Sequence, residues 1–555
     1  MRKLSWLAAL VVFAALFASY SYRLGIQPLL MHDDYEYTYP SFSLAEHGNL
    51  GSPLLGPGLN IQNRTYNLIV YYYALVHSVL IRLFGTGPES IPLANTFHFA
   101  LLAAVVAWLL IRLRAGLGAC VFVWAMLTDD RMVEAARHGR PEMTASFCLT
   151  VGVAALWLWL VEGRRQPIVM LAASAAFTAA MLSHTSTVFF SLALATLLAI
   201  PLARSLSVRD AAIGVLPCLA IPLLYAYFVL TDDVANLQAQ LASSTGDVVL
   251  GRLLWLLVDG QWARFADLAV DFVRTQAGPP LLWAGVLVGS FLPRVDSHPL
   301  ANGVRFFARV YVVLFLANFA FLKHFVLSYR VVYQAVGYMA LALLAEVVAA
   351  RLCAWLGRPG WITALRLAGV AAVSWASVVE LVAFREGLHG RLLPYSRLQG
   401  ALTYALAESG ARPGDRVFVP SPFGFHLRRT FDVVAHPAPK YFRGRWSAAF
   451  RDGLRETWGA QTLGSVDTQS LCYAMGLAFI RPTWVMAWDG DYSTMQPFYQ
   501  FLRKYPDVPG IRVTRLARAR LPAEYGGTVR VYRLDLSDAV RALDRTTHTT
   551  ELPCP

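Results

Sequence analysis

"LSWLAALVVFAALFASYSYRLGIQPLLMHDDYEYTYPSFSLAEHG" (Leu4–Gly48) opens with an uncharged apolar run and continues, a short way beyond it, to two adjacent aspartates, Asp33 and Asp34. The run Leu4–Tyr22 is long enough to cross about 30 Å of hydrocarbon as a helix, and it follows Met-Arg-Lys. A cleaved signal peptide is the competing reading, because "ALFAS" supplies small residues, but the run is long for that purpose. The topology beyond it is the same either way.

The rest of the chain repeats the pattern. Of 555 residues 56% are hydrophobic and 15% charged, and the mean hydropathy is +0.47. A soluble domain carries less apolar sequence than this, so the chain reads as an α-helical polytopic membrane protein. The net charge of +13 is assigned mainly to basic loops that fix the orientation of the spans. A smaller share of the cations is free to face an anionic substrate. No long basic stripe is present, so nucleic acid is not an expected partner; membrane lipids are.

Further apolar runs fall at 92–111, 116–134, 143–160, 167–182, 187–203, 211–230, 279–293, 303–322, 331–350 and 361–384. The loops "IRLRAG" (Ile111–Gly116), "EGRRQ" (Glu162–Gln166), "ARSLSVR" (Ala203–Arg209), 294–305 and "RLCAWLGR" (Arg351–Arg358) are basic. The positive-inside rule puts them and the N-terminus in the cytoplasm. Segments 23–91, 135–142, 183–186, 231–278, 323–330 and everything after 385 then face outward. "TYNLIVYYYALVHSVLIRLFG" (Thr65–Gly85) would break this alternation if it crossed. Its tyrosine cluster suits the headgroup zone, so it is expected to lie on the outer face as an interfacial helix. About eleven spans result.

From about Gly387 the composition changes. "RPGDRVFVPSP" (Arg412–Pro422), "TFDVVAHP" (Thr430–Pro437), "TWVMAWDG" (Thr483–Gly490) and "TVRVYRLDL" (Thr528–Leu536) read as short strands bounded by turn residues. "YSRLQGALTYALAESG" (Tyr395–Gly410) reads as a helix ending on glycine. The expected division is a transmembrane domain over 1–386 and a soluble outer α/β domain over 387–555. Cys120, Cys148, Cys218 and Cys353 lie in or beside apolar runs and read as small core residues. Cys472 and Cys554 lie in the tail, where an oxidising compartment permits a disulfide. No Cys/His spacing suggests structural zinc.

With this topology, acids, histidines and cations recur at the outer ends of several spans. "ARHGRPEMTASF" (Ala136–Phe147) carries His138, Arg140 and Glu142; "LSHTSTVFF" (Leu182–Phe190) carries His184. "LKHFVLSYRVVY" (Leu322–Tyr333) carries Lys323, His324, Tyr329 and Arg330. Each alone has an ordinary structural reading. Pro141 and Glu142 suit a helix start, His184 a hydrogen-bonded turn, and Lys323 and Arg330 anchors at the headgroups. "NRT" (Asn63–Thr65) matches a glycosylation sequon that is common by chance. Trp262, in the outer loop 231–278, is assigned to the interface ahead of a sugar face. That loop is long enough to close over a substrate.

An acidic pair after the first span, an aromatic interfacial helix, and an Arg-Pro-acid two spans later: this order resembles the GT-C superfamily of membrane glycosyltransferases. It is most similar to the branch of lipid-A aminoarabinose transferases and protein O-mannosyltransferases. The likeness covers roughly 1–385, and the first 190 residues carry most of it. The family's Asp-Glu pair falls on Asp33-Asp34, with Asp in place of Glu, and the helical stretch ending in glycine falls on "YPSFSLAEHG" (Tyr39–Gly48). The second acidic motif falls on Glu142, where the family usually has Asp. The family's Lys-Pro-Pro-type segment is not recognisable; Arg64 is the candidate substitute for its lysine.

The resemblance implies a polyprenyl-phosphate sugar donor, a hydroxyl acceptor (glycolipid, polysaccharide or protein) and inversion at the anomeric carbon. It implies Asp33 as base, Asp34 holding a cation or the sugar, and Glu142 orienting the acceptor or supporting the base. Lys323 and Arg330, then Arg140 and Arg64, are candidates to stabilise the departing phosphate, with His184, His324 and Tyr329 as hydrogen-bond donors to it. Carboxylates with histidine also suit a divalent cation; this branch usually uses none, and no cofactor is expected. The implied location is a bacterial inner membrane, with the active site and tail in the periplasm. The main alternative, a transporter or flippase for a lipid-linked or anionic substrate, calls for ionisable groups at mid-membrane and inverted repeats. The charges here gather at span ends, and no repeat is found. A third reading is a non-catalytic scaffold serving the outer domain.

Overall fold

The computed structural model describes residues 2–21, 26–28, 32–51, 70–184, 186–230, 256, 258–293, 299–321, 329–386, 392–436, 448–465, 468–489, 501–502, 507–521 and 527–543. They fall into two compact units, one of 1–22, 68–73 and 92–389, the other of 23–67, 74–91 and 390–555.

The first unit is a helical bundle. Among the described residues, six helices are long and apolar enough to cross a membrane. They are Leu93–Arg112, Glu142–Leu160, Ser186–Ser205, Pro299–Phe321, Tyr329–Trp355 and Trp361–Glu386. Shorter apolar helices cover Ser5–Ser21, Gly116–Thr128, Pro167–Met181 and Pro280–Phe291. Val208–Cys218 and Ala220–Leu230 follow one another around Leu219, where Pro217 and Pro222 interrupt the backbone ladder. These helices occupy the apolar runs expected from hydropathy. Tyr329–Trp355 is buried along most of its length, whereas Trp361–Glu386 turns Leu367, Trp375 and Val378 outward. A face of that kind suits hydrocarbon.

One run differs from expectation. The stretch 116–134 does not continue as a single helix: it stops at Thr128 and restarts as Asp130–Ala136. Asp129 between them is extended, and its carboxylate Oδ1 accepts from the backbone N–H of Arg131 at 2.9 Å and of Met132 at 3.2 Å. A side-chain acceptor at this position starts a new helix and competes with continuation of the old one. In the expected interfacial segment, the described helix is Tyr71–Phe84, 14 residues long. That is about 21 Å, short of a bilayer. Leu75, Val79 and Leu83 share its exposed side.

At the end of the bundle holding Arg112 and Gly116, an acid holds a helix start. Glu346 is buried, and its Oε2 accepts from the N–H of Leu117 at 2.8 Å and of Gly118 at 3.1 Å. Oε1 accepts from Arg366 at 2.7 Å, and the same guanidinium donates to the carbonyl of Arg114 at 2.9 Å. Arg114 has a left-handed φ of 64°, a conformation that costs a non-glycine residue about 1 kcal/mol or more. Gly118 permits the approach: a Cβ there would meet the carbonyl oxygen of Ala342 at 2.7 Å.

The second unit has a two-stranded sheet and a six-stranded one. Strands β1 (Ile26–Pro28) and β2 (Leu392–Pro394) pair antiparallel. The larger sheet contains β3 (Arg416–Pro420), β4 (Asp432–His436), β5 (Trp484–Trp488), β6 (Asp507–Val508), β7 (Ile511–Arg520) and β8 (Thr528–Leu536). Their order is β4-β3-β5-β8-β7-β6. β3 is parallel to both neighbours, with Phe418 opposite Val434 and Val485; the other pairings are antiparallel. The core of Val417, Phe418, Val485, Met486 and Val531 continues into the helix Tyr395–Glu408 through Leu402 and Leu406.

Tyr39 and Phe42, from the helix His32–His47, belong to this same core. Phe42 packs on Phe425 at a centroid distance of 4.5 Å. Arg428 lies over Phe42 at 4.7 Å and forks onto Glu46 at 2.9 and 3.0 Å. Bidentate geometry and stacking both favour arginine over lysine at this position. The helix ends at His47, and Gly48 takes a φ of 75°, the usual glycine exit. In the helix Ser421–Leu427, His426 is buried against the ring of Tyr395, and neither ring nitrogen has a hydrogen-bond partner among the described residues. Burial pulls its pKa from 6.5 down to about 3. Four cysteines, 120, 148, 218 and 353, are free thiols; the side chains of Cys472 and Cys554 lie outside the described residues.

Two predictions follow from these contacts. Glu346→Ala strips the acceptor from two helix-start N–H groups and from Arg366, and should cost about 2–4 kcal/mol, read as a lowered thermal midpoint in detergent. Glu346→Gln should fall between it and the parent. Because the folded pKa of His426 lies below its unfolded value, the unfolded chain binds the extra proton. Stability is therefore complete above pH 6.5 and falls towards pH 3, by about 1.4 kcal/mol per pH unit. His426→Phe should flatten this acid limb in unfolding curves recorded at pH 8 and pH 5.

Candidate functional site

The turn 137–141, between the helices Asp130–Ala136 and Glu142–Leu160, is built from its carbonyls outward. Thr96 donates to Ala136 O at 2.9 Å, Tyr73 donates to Gly139 O at 2.6 Å, and Asn95 Nδ2 donates to His138 O at 2.7 Å and to Arg140 O. The Asn95 amide is oriented in turn by Thr144, whose hydroxyl donates to Asn95 Oδ1 at 3.3 Å. A tight turn among buried helices would otherwise hold several carbonyls away from water, each costly to leave unmet. Three side chains supply the donors.

Glu142 opens the next helix directly after Pro141 and is 1% exposed. Arg140 reaches over the proline, with Nε 2.9 Å from Glu142 Oε1. This pair meets the requirement that a buried charge be matched locally. His184 lies in the turn between the helices Pro167–Met181 and Ser186–Ser205. Its Nδ1 accepts from the Ser186 N–H at 3.3 Å and lies 2.7 Å from Ser186 Oγ. An accepting Nδ1 places the ring proton on Nε2. Burial lowers the His184 pKa to about 4, with Glu142 raising it and Arg140 lowering it. The imidazole is therefore neutral at pH 7 and lies within the field of that pair.

The ring of Tyr329 meets His184 edge-on at 5.1 Å. The next residue, Arg330, turns to Asp129, with Nη2 3.4 Å from Oδ1. Asp129 Oδ2 also accepts from Gln334 and Tyr338. Arg140, Glu142, His184 and Tyr329–Arg330 thus gather at one end of the first unit's bundle, opposite the end held by Glu346. Among the described residues no three metal-ligating side chains gather.

The other sequence candidates are placed differently. Lys323, His324 and Arg64 lie outside the described residues. Asp33 and Asp34 lie on the backbone of the helix His32–His47 in the second unit, with side chains outside the description. Sequence reasoning missed Asp129, Asn95, Gln334 and Tyr338. For Asp129 a signal existed: "LTDDR" (Leu127–Arg131) sets three adjacent charges directly after the uncharged stretch Gly116–Thr128.

No family model matches the chain, and no curated protein matches its sequence. Solved structures do match. ArnT from Cupriavidus metallidurans in the apo state has a TM-score of 0.54 at 15% identity, covering 95% of this chain and 97% of that one. The same ArnT bound to undecaprenyl phosphate has a TM-score of 0.51, again at 15% identity and with the same coverage. The archaeal oligosaccharyltransferase AglB from Archaeoglobus fulgidus, in complex with an inhibitory peptide and a dolichol-phosphate, is 13% identical with a TM-score of 0.43. It covers 96% of this chain and 74% of its own. The fold is that of a helical membrane protein with a small C-terminal sheet. It is the fold of ArnT, matched over almost the whole of both chains.

Asn95→Ala removes the donor shared by a buried and a part-buried carbonyl and should cost about 2–4 kcal/mol. Asn95→Asp, whose carboxylate cannot donate, should cost as much. Thermal unfolding of the purified chain in detergent measures both.

Proposed function

We propose that the chain is an inverting glycosyltransferase that moves a sugar from a polyprenyl-phosphate donor to a hydroxyl acceptor. One observation carries the reading: cations, a neutral histidine and a buried acid gather at one end of a bundle with the fold of ArnT, whose structure was solved with undecaprenyl phosphate. A donor with a lipid tail stays in the bilayer, so its phosphate must meet the protein at a bundle end.

The reaction forms a bond between the acceptor oxygen and the anomeric carbon, and breaks the bond from that carbon to the donor phosphate. A carboxylate takes the acceptor proton within hydrogen-bond reach; by resemblance this is Asp33, with Asp34 beside it. Negative charge grows on the leaving phosphate, and fixed cations in a water-poor site stabilise it. Arg330 and Lys323 are assigned that task, with Arg64 behind them. Arg140 is engaged by Glu142, so its part is to hold that acid in place. His184, through Nε2, and Tyr329 donate hydrogen bonds to the phosphate, as does His324. Phosphate is a good leaving group, so neither a strong general acid nor a metal is invoked. The positive-inside reading of the basic loops assigns the active site and the tail after 385 to the periplasm of a bacterium.

Membranes containing the chain should transfer label from a radiolabelled polyprenyl-phosphate sugar, tried across hexose and pentose donors. Asp33→Asn should lower the rate by about 10²–10⁴-fold, the usual contribution of a positioned base. Equal rates in parent and variant would remove the mechanism.

A further inference from the structure

Asp129 has no part in the chemistry above, yet it is the most heavily engaged carboxylate at this end of the bundle. Its side chain is 1% exposed. Oδ1 caps the helix Asp130–Ala136 through Arg131 N and Met132 N and lies 3.4 Å from Arg330 Nη2. Oδ2 accepts from Gln334 and Tyr338. The two elements joined in this way carry different parts of the site. The capped helix leads straight into the turn that presents Arg140 and Glu142. The helix Tyr329–Trp355 begins with Tyr329 and Arg330. Four neutral donors besides Arg330 fill the hydrogen-bonding positions of the carboxylate, so the guanidinium is left to balance its charge.

Arg330 depends on the contact more heavily. Its side chain is 15% exposed, its Nε is buried without a hydrogen-bond partner among the described residues, and Asp129 is the one acceptor described for it. An arginine held at a single Nη keeps its remaining N–H groups aimed in a fixed direction. Fixing a cation before the ligand arrives lowers the ordering cost of binding.

We propose that Asp129 is a positioning residue: it aims Arg330 at an anionic lipid phosphate and fixes the spacing between that cation and the Arg140–Glu142 turn. This rests on the reading of the site as a polyprenyl-phosphate site. Its sign is distinctive. A carboxylate near a phosphate site repels the ligand, so Asp129 favours binding only by orienting the arginine.

The test is equilibrium binding of undecaprenyl phosphate, and of uncharged undecaprenol, to the full chain in detergent. The parent is compared with Asp129→Asn, Arg330→Gln and the double variant. Asn and Ser cap helices about as well as Asp, so Asp129→Ser replaces Asp129→Asn if the latter does not fold, as judged by its thermal midpoint. The expected result is that the parent prefers the phosphorylated lipid. Each single variant should lose about tenfold in affinity for it, with undecaprenol unaffected, and the double variant should lose no more than Arg330→Gln alone. Unchanged or tighter phosphate binding by Asp129→Asn overturns the proposal. So do losses that add in the double variant, or that fall equally on both lipids. A parent that binds both lipids alike removes the reading of the site itself and, with it, this role.

Discussion

The helix Gly116–Thr128 is tied to the helix Tyr329–Trp355 at both of its ends by the same kind of contact. At one end Glu346 receives two successive backbone N–H groups and an arginine, Arg366. At the other end Asp129 receives two N–H groups, again near a helix start, and an arginine, Arg330. Between lipid-facing helices there is no water to satisfy a stray amide, so a helix start must find its acceptors within the protein. A carboxylate does this for two amides at once, and the arginine balances its charge. Thirteen residues make about 20 Å of helix, shorter than a bilayer. The second tie therefore falls where the chain must break and re-form to reach the 137–141 turn. The position of Glu142 follows from that break.

The same requirement explains why the charged residues gather where they do. Arg140 with Glu142 and Arg330 with Asp129 are both pairs made across short distances at bundle ends. His184 between them is kept neutral by burial. A polar site of this kind is built from matched charges.

Much of the fold was legible in the sequence because the hydropathy signal is coarse and strong. Most of the apolar runs, the strands at 416–420, 432–436, 484–488 and 528–536, and the helix from Tyr395 lie where composition and turn residues put them, and the glycine exit after His47 lies where the family resemblance put it. Two features escaped for physical reasons. β7, "IRVTRLARAR", carries arginines at 512, 515, 518 and 520, and its register shifts between Arg515 and Ala517, so the alternation that marks a strand changes phase midway. Asp129 was hidden because the thirteen uncharged residues before it, Gly116–Thr128, set the reading of the whole run as a span. Its partner Arg330 lies 201 residues further along the chain, and spacing says nothing of a contact made only by folding. Arg140, Glu142 and His184 were legible as polar residues at span ends, but Asn95 and Thr96, which hold their turn, sit inside a run that reads as ordinary helix.

The interleaved make-up of the second unit bears on how the chain is made. Phe42 leaves the ribosome early, while Phe425, against which it packs at 4.5 Å, follows roughly 380 residues later. At about 5–20 residues per second, that is a wait of tens of seconds, during which most of the bundle's helices are synthesised. Over that interval Tyr39 and Phe42 have no core to enter, so the early helix needs temporary shelter from aggregation. The strands of the larger sheet are the last part to arrive, and completing this unit is then a late event in biogenesis, set by the pace of translation.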